Sequence, residues 1–545
     1  MSFAHPCCAD ERPNVVIVFV DDLDFDEVPI YDLSRFPSHT GMKLQGYYDD
    51  DRPPHADVPQ GDYFDPPRML MPNLEAMAAD GLVLNRFYIT SPICTPSRYS
   101  ILTGRYASRS QAFRQRYPDG SPASVDWSTS LLPSESNLPK ALRANGYTTG
   151  IVGKWHLGGG IDGYTKDLKQ LDPSIPEHNQ RIVAAQRATC EAFDQHGFDF
   201  AESIFTGNVP EMKIPRELMR ENLDWITQGA LNFLDAQGDG TPFYLYMSIP
   251  IPHAQYYDRM VRGGTHFWWD DDPRVTPGGI LDVAPTAQPS RAGVLRRVED
   301  AGLPRIHSMG TWIDDSLGAV LAKLEEKGLA ENTLVIFTSD HQSRGKNTIT
   351  ESARVPFVAQ WPAKIEPGRR SDALCSNVDL VTTLLDLTDT QVPASDVGRD
   401  GVSVAGVFLG QSDTGRGSLL LECMYTRGVV TPRWKYIASR ATPEIEAAMA
   451  EDAVLAAEEN RRRRVGWDGR NNANKIGLGV GMDSDRDFPG YFDPDQLYDL
   501  EADPFEQFNL AADPAHRQTL VELQNELRGY LEDMPHPFGE FSEPN

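Results

Sequence analysis

Two apolar runs in this chain end directly on acidic residues. Asn14-Val15-Val16-Ile17-Val18-Phe19-Val20 runs into Asp21-Asp22, and Thr333-Leu334-Val335-Ile336-Phe337-Thr338-Ser339 runs into Asp340. Short runs that are apolar at successive positions and rich in β-branched residues read as strands buried on both faces. Helical spacing is predicted over 72–80, stopped by Gly81, and over 136–144, stopped by Asn145-Gly146. It is predicted again over 223–234, 310–327 and 378–387, with further strands over 148–152 and 243–249. Strands alternating with helices define an α/β class: a large, mostly parallel sheet sandwiched by helices. In such sheets the ligand crevice lies beyond the carboxyl ends of the strands. Asp21, Asp22 and Asp340 therefore arrive at the rim where a site belongs.

The texture changes after about residue 410. Short extended segments are predicted over 418–422, 428–430, 434–438 and 496–499, with a closing helix over 516–532. The expected organisation is an N-terminal α/β catalytic domain over 1–410 and a C-terminal α+β subdomain over 411–545, with a small antiparallel sheet and helix. Within it a helix over 443–464 ends in Arg461–Arg464 and leads into a Gly/Asn/Asp-rich insertion. Four arginines at a helix C-terminus answer the helix dipole; gripping an anionic substrate is the other reading.

The formal net charge is −28. Such a surface opposes nucleic acid and anionic lipid, so neither is expected as a partner. No apolar run is long enough to span a bilayer. The first fourteen residues carry no apolar core of a signal peptide. That predicts a cytoplasmic protein if this N-terminus is native, and a periplasmic or secreted one if a leader was removed. Cys7, Cys8, Cys94, Cys190, Cys375 and Cys423 form no CxxC pair, a usage that suits a reducing compartment.

Cys94 stands apart. A helix is predicted to begin at Pro96, since proline is welcome at the first helical position. Cys94 then sits at a helix N-terminus, where amide N–H groups and the dipole favour an anion and lower a thiol's pKa. An isolated cysteine is otherwise a buried structural thiol.

The string Ser91-Pro92-Ile93-Cys94-Thr95-Pro96-Ser97-Arg98, continued by Leu102-Thr103-Gly104-Arg105, resembles the signature of the formylglycine-dependent sulfatases, a family of the alkaline phosphatase-like superfamily. Gly153-Lys154-Trp155-His156-Leu157-Gly158, Pro252-His253, Thr338-Ser339-Asp340-His341 and Gly345-Lys346 with Arg354-Val355-Pro356 follow in the family's order. Trp434-Lys435-Tyr436-Ile437 and Leu497-Tyr498-Asp499-Leu500 with Asp503-Pro504 look like its tail, so the resemblance runs from Asn14 to about Leu510.

The resemblance implies an enzyme, a sulfuric-ester hydrolase. A formylglycine-generating enzyme or its equivalent oxidises Cys94 to formylglycine (3-oxoalanine), whose hydrate is a geminal diol. One hydroxyl attacks sulfur. The second then loses its proton, which expels sulfate from the sulfated hemiacetal and restores the aldehyde. The catalytic set implied is Cys94, Arg98, Lys154, His156, His253 and Lys346. Arg98 and Lys154 hold charge at the sulfuryl centre. His156 is the base, on one face with Lys154 if that stretch is extended. His253 and Lys346 serve the sulfate and the leaving group. The metal set implied is Asp21, Asp22, Cys94, Asp340 and His341. Carboxylates suit a hard cation, calcium first and magnesium second. His341 stands where many members carry Asn, and an imidazole also tolerates softer ions. A lone Asp pair would otherwise read as a turn or cap.

The expected substrate is a sulfated saccharide or small aryl or alkyl sulfate. The motif leaves open a phosphonate monoester or phosphodiester hydrolase using the same modified cysteine, and a non-catalytic binding protein of the same fold. Selectivity is expected from loops over 26–68, 161–178 and 260–289. In the last, His266-Phe267-Trp268-Trp269 either stacks on a ring or packs. Arg344 is a further cation beside Lys346, facing either substrate or solvent.

Overall fold

The computed structural model describes residues 12–32, 68–121, 123–238, 240–253, 272–303, 307–342, 353–393, 398–440, 489–490 and 493–538. Lys346, Arg344, the aromatic run 266–269, the predicted helix 443–464, Cys7 and Cys8 lie outside these residues.

Eight strands form the main sheet. In spatial order they are Arg369–Ser371, Leu82–Leu84, Phe357–Gln360, Thr333–Ser339, Asn14–Val20, Phe243–Ile249, Thr148–Lys154 and Phe200–Phe205. Only Phe357–Gln360 runs against the others, pairing antiparallel with both neighbours. The mostly parallel sheet predicted from the alternation is thus present. Asn14–Val20 lies at its centre, parallel to Phe243–Ile249 on one side and Thr333–Ser339 on the other.

Side-chain alternation divides that central strand between two cores. Val15, Ile17 and Phe19 join one apolar cluster, and Val16, Val18 and Val20 the other. Each such side chain contributes roughly 1.5–3 kcal/mol by leaving water. A seven-residue strand wholly buried is therefore anchored firmly enough to hold charged residues at its end. The helices Leu223–Asp235 and Ser308–Glu326 cover one face. Cys94–Thr103, Leu138–Ala144 and Asp379–Leu387 cover the other.

Most predicted boundaries move by one or two residues, for identifiable reasons. The helix expected over 136–144 starts at Leu138 because the Asn137 side chain accepts from Lys140 N–H and caps it. The strand expected over 148–152 continues to Lys154. The strands over 14–20, 243–249 and 333–339 stand as read.

The C-terminal antiparallel sheet runs Leu419–Cys423, Thr426–Val430, Trp434–Ser439, Asp495–Asp499. One face, with Leu419, Leu421 and Ile437, joins the main core. The other, with Leu420, Val429, Tyr436 and Leu497, packs on Leu520, Leu523 and Leu527 of the helix Arg517–Glu532. Among the described residues no helix is long and apolar enough to cross a membrane.

Candidate active site

The carboxyl ends of the strands Asn14–Val20 and Thr333–Ser339 deliver their acids to one point. Asp340 N–H donates to the Val20 carbonyl at 2.9 Å, which extends the parallel ladder by one residue. Asp22 turns out of the strand with φ of 61°, a left-handed conformation that aspartate tolerates better than most residues. Its N–H then donates to Asp340 Oδ1 at 3.0 Å. Asp21, Asp22, Asp340 and His341 are all fully buried.

Cys94 comes from a helix that covers one face of the sheet. The helix begins at Cys94 itself, with Ile93 extended as its cap, and not at Pro96 as expected. Its first hydrogen bond runs from Ser97 N–H to the Ile93 carbonyl at 3.0 Å. Amides of the first turn have no helical acceptor, so proline costs nothing at its third position. Cys94 is thus in the first turn, its Sγ 3.3 Å from His341 Nε2. One donor atom each from Asp21, Asp22, Cys94 and His341 lies within 4.8 Å of all the others. Two carboxylates, an imidazole and the position-94 side chain fit a divalent cation. Asp21 Oδ1 is a buried oxygen that accepts no hydrogen bond from the described residues, which also fits a cation ligand. Asp340 borders this group of four and engages Arg98, Asp22 N–H and, at 3.7 Å, His341 Nε2.

The cations sit behind the acids. Arg98, one turn along from Cys94, donates to Asp340 Oδ2 at 3.1 Å and lies 3.4 Å from Asp21 Oδ1. It also donates to Ser248 Oγ and stacks over the Phe19 ring at 5.3 Å. Lys154, at the end of its strand, pairs with Asp21 and donates to Asn208 Oδ1 at 2.7 Å. Burial by itself would raise the Asp21 pKa, but Lys154, Arg98 and His253 together hold it well below the ordinary value. For Asp340 burial prevails, helped by the charge of Asp21, and its pKa stands well above the ordinary value. Burial would neutralise Lys154, yet Asp21 beside it raises its pKa.

Gly153 sets the close approach of these strands. Its φ is 90°, and a Cβ there would fall 1.9 Å from the Ser248 carbonyl oxygen. Only glycine allows Lys154 to leave the strand beside Ser248.

His253 is fully buried just beyond the strand Phe243–Ile249, close enough to Asp21 to shift its titration. His156 departs from expectation. It has φ of 55°, so Lys154 and His156 do not share a face through strand alternation. Its Nε2 lies 3.4 Å from Glu211 Oε2. Sequence reasoning missed Asn208, Glu211 and Ser248. A usable signal existed for the first two: they follow the strand Phe200–Phe205 as polar residues at a carboxyl edge.

The sulfatase family model matches residues 13–390, and the model described as N-sulphoglucosamine sulphohydrolase, C-terminal, matches 345–439. The N-acetylgalactosamine-6-sulfatase of Canis lupus familiaris is 28% identical over 443 residues, covering 75% of this chain and 68% of that protein. The N-acetylgalactosamine-6-O-sulfatase of Bacteroides thetaiotaomicron is 24% identical over 486 residues, covering 80% and 84%. A solved structure described as being in complex with its substrate D-glucosamine-2-N,6-O-disulfate superposes with a TM-score of 0.56 at 17% identity, covering 96% of this chain and 99% of that one. The chain spans 61–68% of the length of the first mammalian relatives.

The fold is the alkaline phosphatase-like fold of solved sulfatases. The chain belongs to the sulfatase family, whose members are sulfuric-ester hydrolases that generally use a formylglycine and a divalent metal.

Proposed function

We propose that this protein hydrolyses a sulfate ester on a saccharide, with formylglycine made from Cys94 and a calcium ion held by Asp21, Asp22, position 94 and His341. The observation that carries this reading is the convergence of Cys94 with Asp21, Asp22 and His341 within 4.8 Å. The saccharide class is supported by the relatives named for N-acetylgalactosamine 6-sulfate chemistry and by the disulfated glucosamine bound to the structural neighbour. Bound there, the ion would act as a Lewis acid on the nucleophile and the sulfuryl oxygens.

The chain's own residues supply the rest. Arg98 and Lys154 are buried cations whose positions are fixed by Asp340, Asp21, Ser248 and Asn208. Charges fixed in advance need no reorganisation as negative charge moves onto sulfate oxygens. His156 takes the proton that releases sulfate, and His253 with Lys346 serves the leaving oxygen.

The test has two parts. Mass analysis of the peptide carrying Cys94 is expected to show the thiol replaced by an aldehyde. A panel of sulfated monosaccharides, simple aryl sulfates and aryl phosphodiesters is expected to show turnover of the first. Faster cleavage of the phosphodiesters would overturn the sulfate assignment, and an unmodified thiol after native expression would favour a binding role.

A further inference from the structure

His156 leaves the strand Thr148–Lys154 and places its ring against the loop that follows Phe200–Phe205. There Nε2 meets Glu211 Oε2 at 3.4 Å. The other carboxylate oxygen, Oε1, accepts from Asn208 Nδ2 at 2.9 Å, and Asn208 Oδ1 accepts from Lys154 Nζ at 2.7 Å. One carboxylate thus holds the imidazole with one oxygen and, through an amide, the lysine with the other. Gly207 passes beside them, where a Cβ would stand 3.1 Å from Glu211 Oε2 and 3.4 Å from His156 Cδ2. The second ring nitrogen, Nδ1, is buried and has no hydrogen-bond partner among the described residues.

We propose that Glu211 is a positioning residue for sulfate-ester hydrolysis: it holds the His156 proton on Nε2 and so makes Nδ1 the nitrogen that accepts a proton. This rests on the reading of His156 as the base and adds a residue that no sequence motif marks. A carboxylate against one imidazole nitrogen selects the tautomer and supports the cation formed when the other nitrogen is protonated.

Burial would raise the Glu211 pKa, but His156, Asn208 and Lys154 bring it down to about 2. Lys154 is the other charge at this pair, and its ammonium is already matched by Asp21. An exposed ion pair is worth little, and the Glu211 side chain is half exposed at 53%. What lifts this contact above that class is its second arm, which ends on a wholly buried lysine of the site.

The experiment compares wild type with Glu211→Gln and Glu211→Asp, both carrying formylglycine, on the sulfated monosaccharide that wild type turns over. Glu211→Gln is expected to lower kcat about tenfold or more, with KM moving less than about twofold. The acidic limb of kcat/KM should move down, because an amide no longer supports the imidazolium. Glu211→Asp should recover part of the loss. NMR titration of the His156 imidazole, assigned with His156→Gln, reads the same downward shift without turnover. If Glu211→Gln leaves both the limb and that titration in place, the proposal is overturned, whatever happens to kcat. A formylglycine-bearing wild type with no sulfatase activity, but with a His156 titration that falls in Glu211→Gln, overturns the functional reading and supports the positioning contact.

Discussion

The Arg98 guanidinium and the Asp340 carboxylate meet at 3.1 Å with neither side chain exposed to solvent. Arg98 comes from a helix that covers one face of the sheet and Asp340 from the end of a strand within it, 242 residues apart. Arg98 also faces Asp21 at 3.4 Å, so one cation balances two acids at the base of the metal group. Removing one member of a buried pair strands the other in a medium that cannot solvate it. Arg98→Ala is therefore expected to cost roughly 3–5 kcal/mol of stability, read as a lower urea midpoint in chelator-treated protein. Arg98→Lys keeps the charge and loses the fork that reaches Ser248 and Asp340 together. It should recover part of the stability and little of the activity. Equal midpoints for wild type and Arg98→Ala would remove Arg98 from this role.

Cys94→Ser tests the nucleophile without emptying its position. The hydroxyl is close in shape to the thiol, but it cannot be oxidised by the same route to an aldehyde hydrate with its second hydroxyl. Turnover should fall by at least about a thousandfold, the scale seen when a covalent nucleophile is lost. The melting temperature should change little, because Cys94 contributes one small side chain to the core. Wild-type turnover by the serine variant would contradict a formylglycine mechanism.

The acids were legible in the sequence for a physical reason. A strand buried on both faces can end only where polar residues begin, and Asp21 and Asp340 mark those ends on two adjacent strands. Cys94, Arg98 and Lys154 were legible as motif, which fixed identity ahead of geometry. The contacts of Lys154 with Asn208 and of His156 with Glu211 were not legible. They cross 54 residues in the first case and depend on a positive φ at His156, which local propensity does not dictate for histidine. The same limit explains the helix start at Cys94. Proline marks the first turn of a helix without saying which of its positions it occupies.

Metal removal should show itself in stability as well as turnover. Four donor atoms within 4.8 Å, two of them on carboxylates, repel one another until a cation joins them. Protein stripped with a chelator is expected to melt lower and to recover on addition of calcium, with magnesium weaker. A hundredfold excess over Kd corresponds to about 3 kcal/mol of stabilisation. Asp22→Asn should shrink that recovery while leaving Arg98 and Lys154 with their partners on Asp21 and Asp340. A melting curve indifferent to chelator and to both ions would count against the site.

The C-terminal sheet offers a pH test outside the candidate metal group. Lys435 donates to Glu506 at 2.7 Å, and both side chains are buried. Burial outweighs the lysine's attraction and lifts the Glu506 pKa to about 7. In the unfolded chain this group titrates near the ordinary glutamate value. Between those two values the folded state binds more protons than the unfolded state, so stability must fall as pH rises. The loss begins above the unfolded pKa and is complete above the folded one. Over that window it amounts to about 3 kcal/mol at most. Glu506→Gln carries no titrating proton, so its unfolding free energy should decline less than wild type between pH 5 and pH 8, by a difference of that order. Parallel declines in the two proteins would mean that Lys435 holds Glu506 ionised throughout, and that the pair outweighs its own burial.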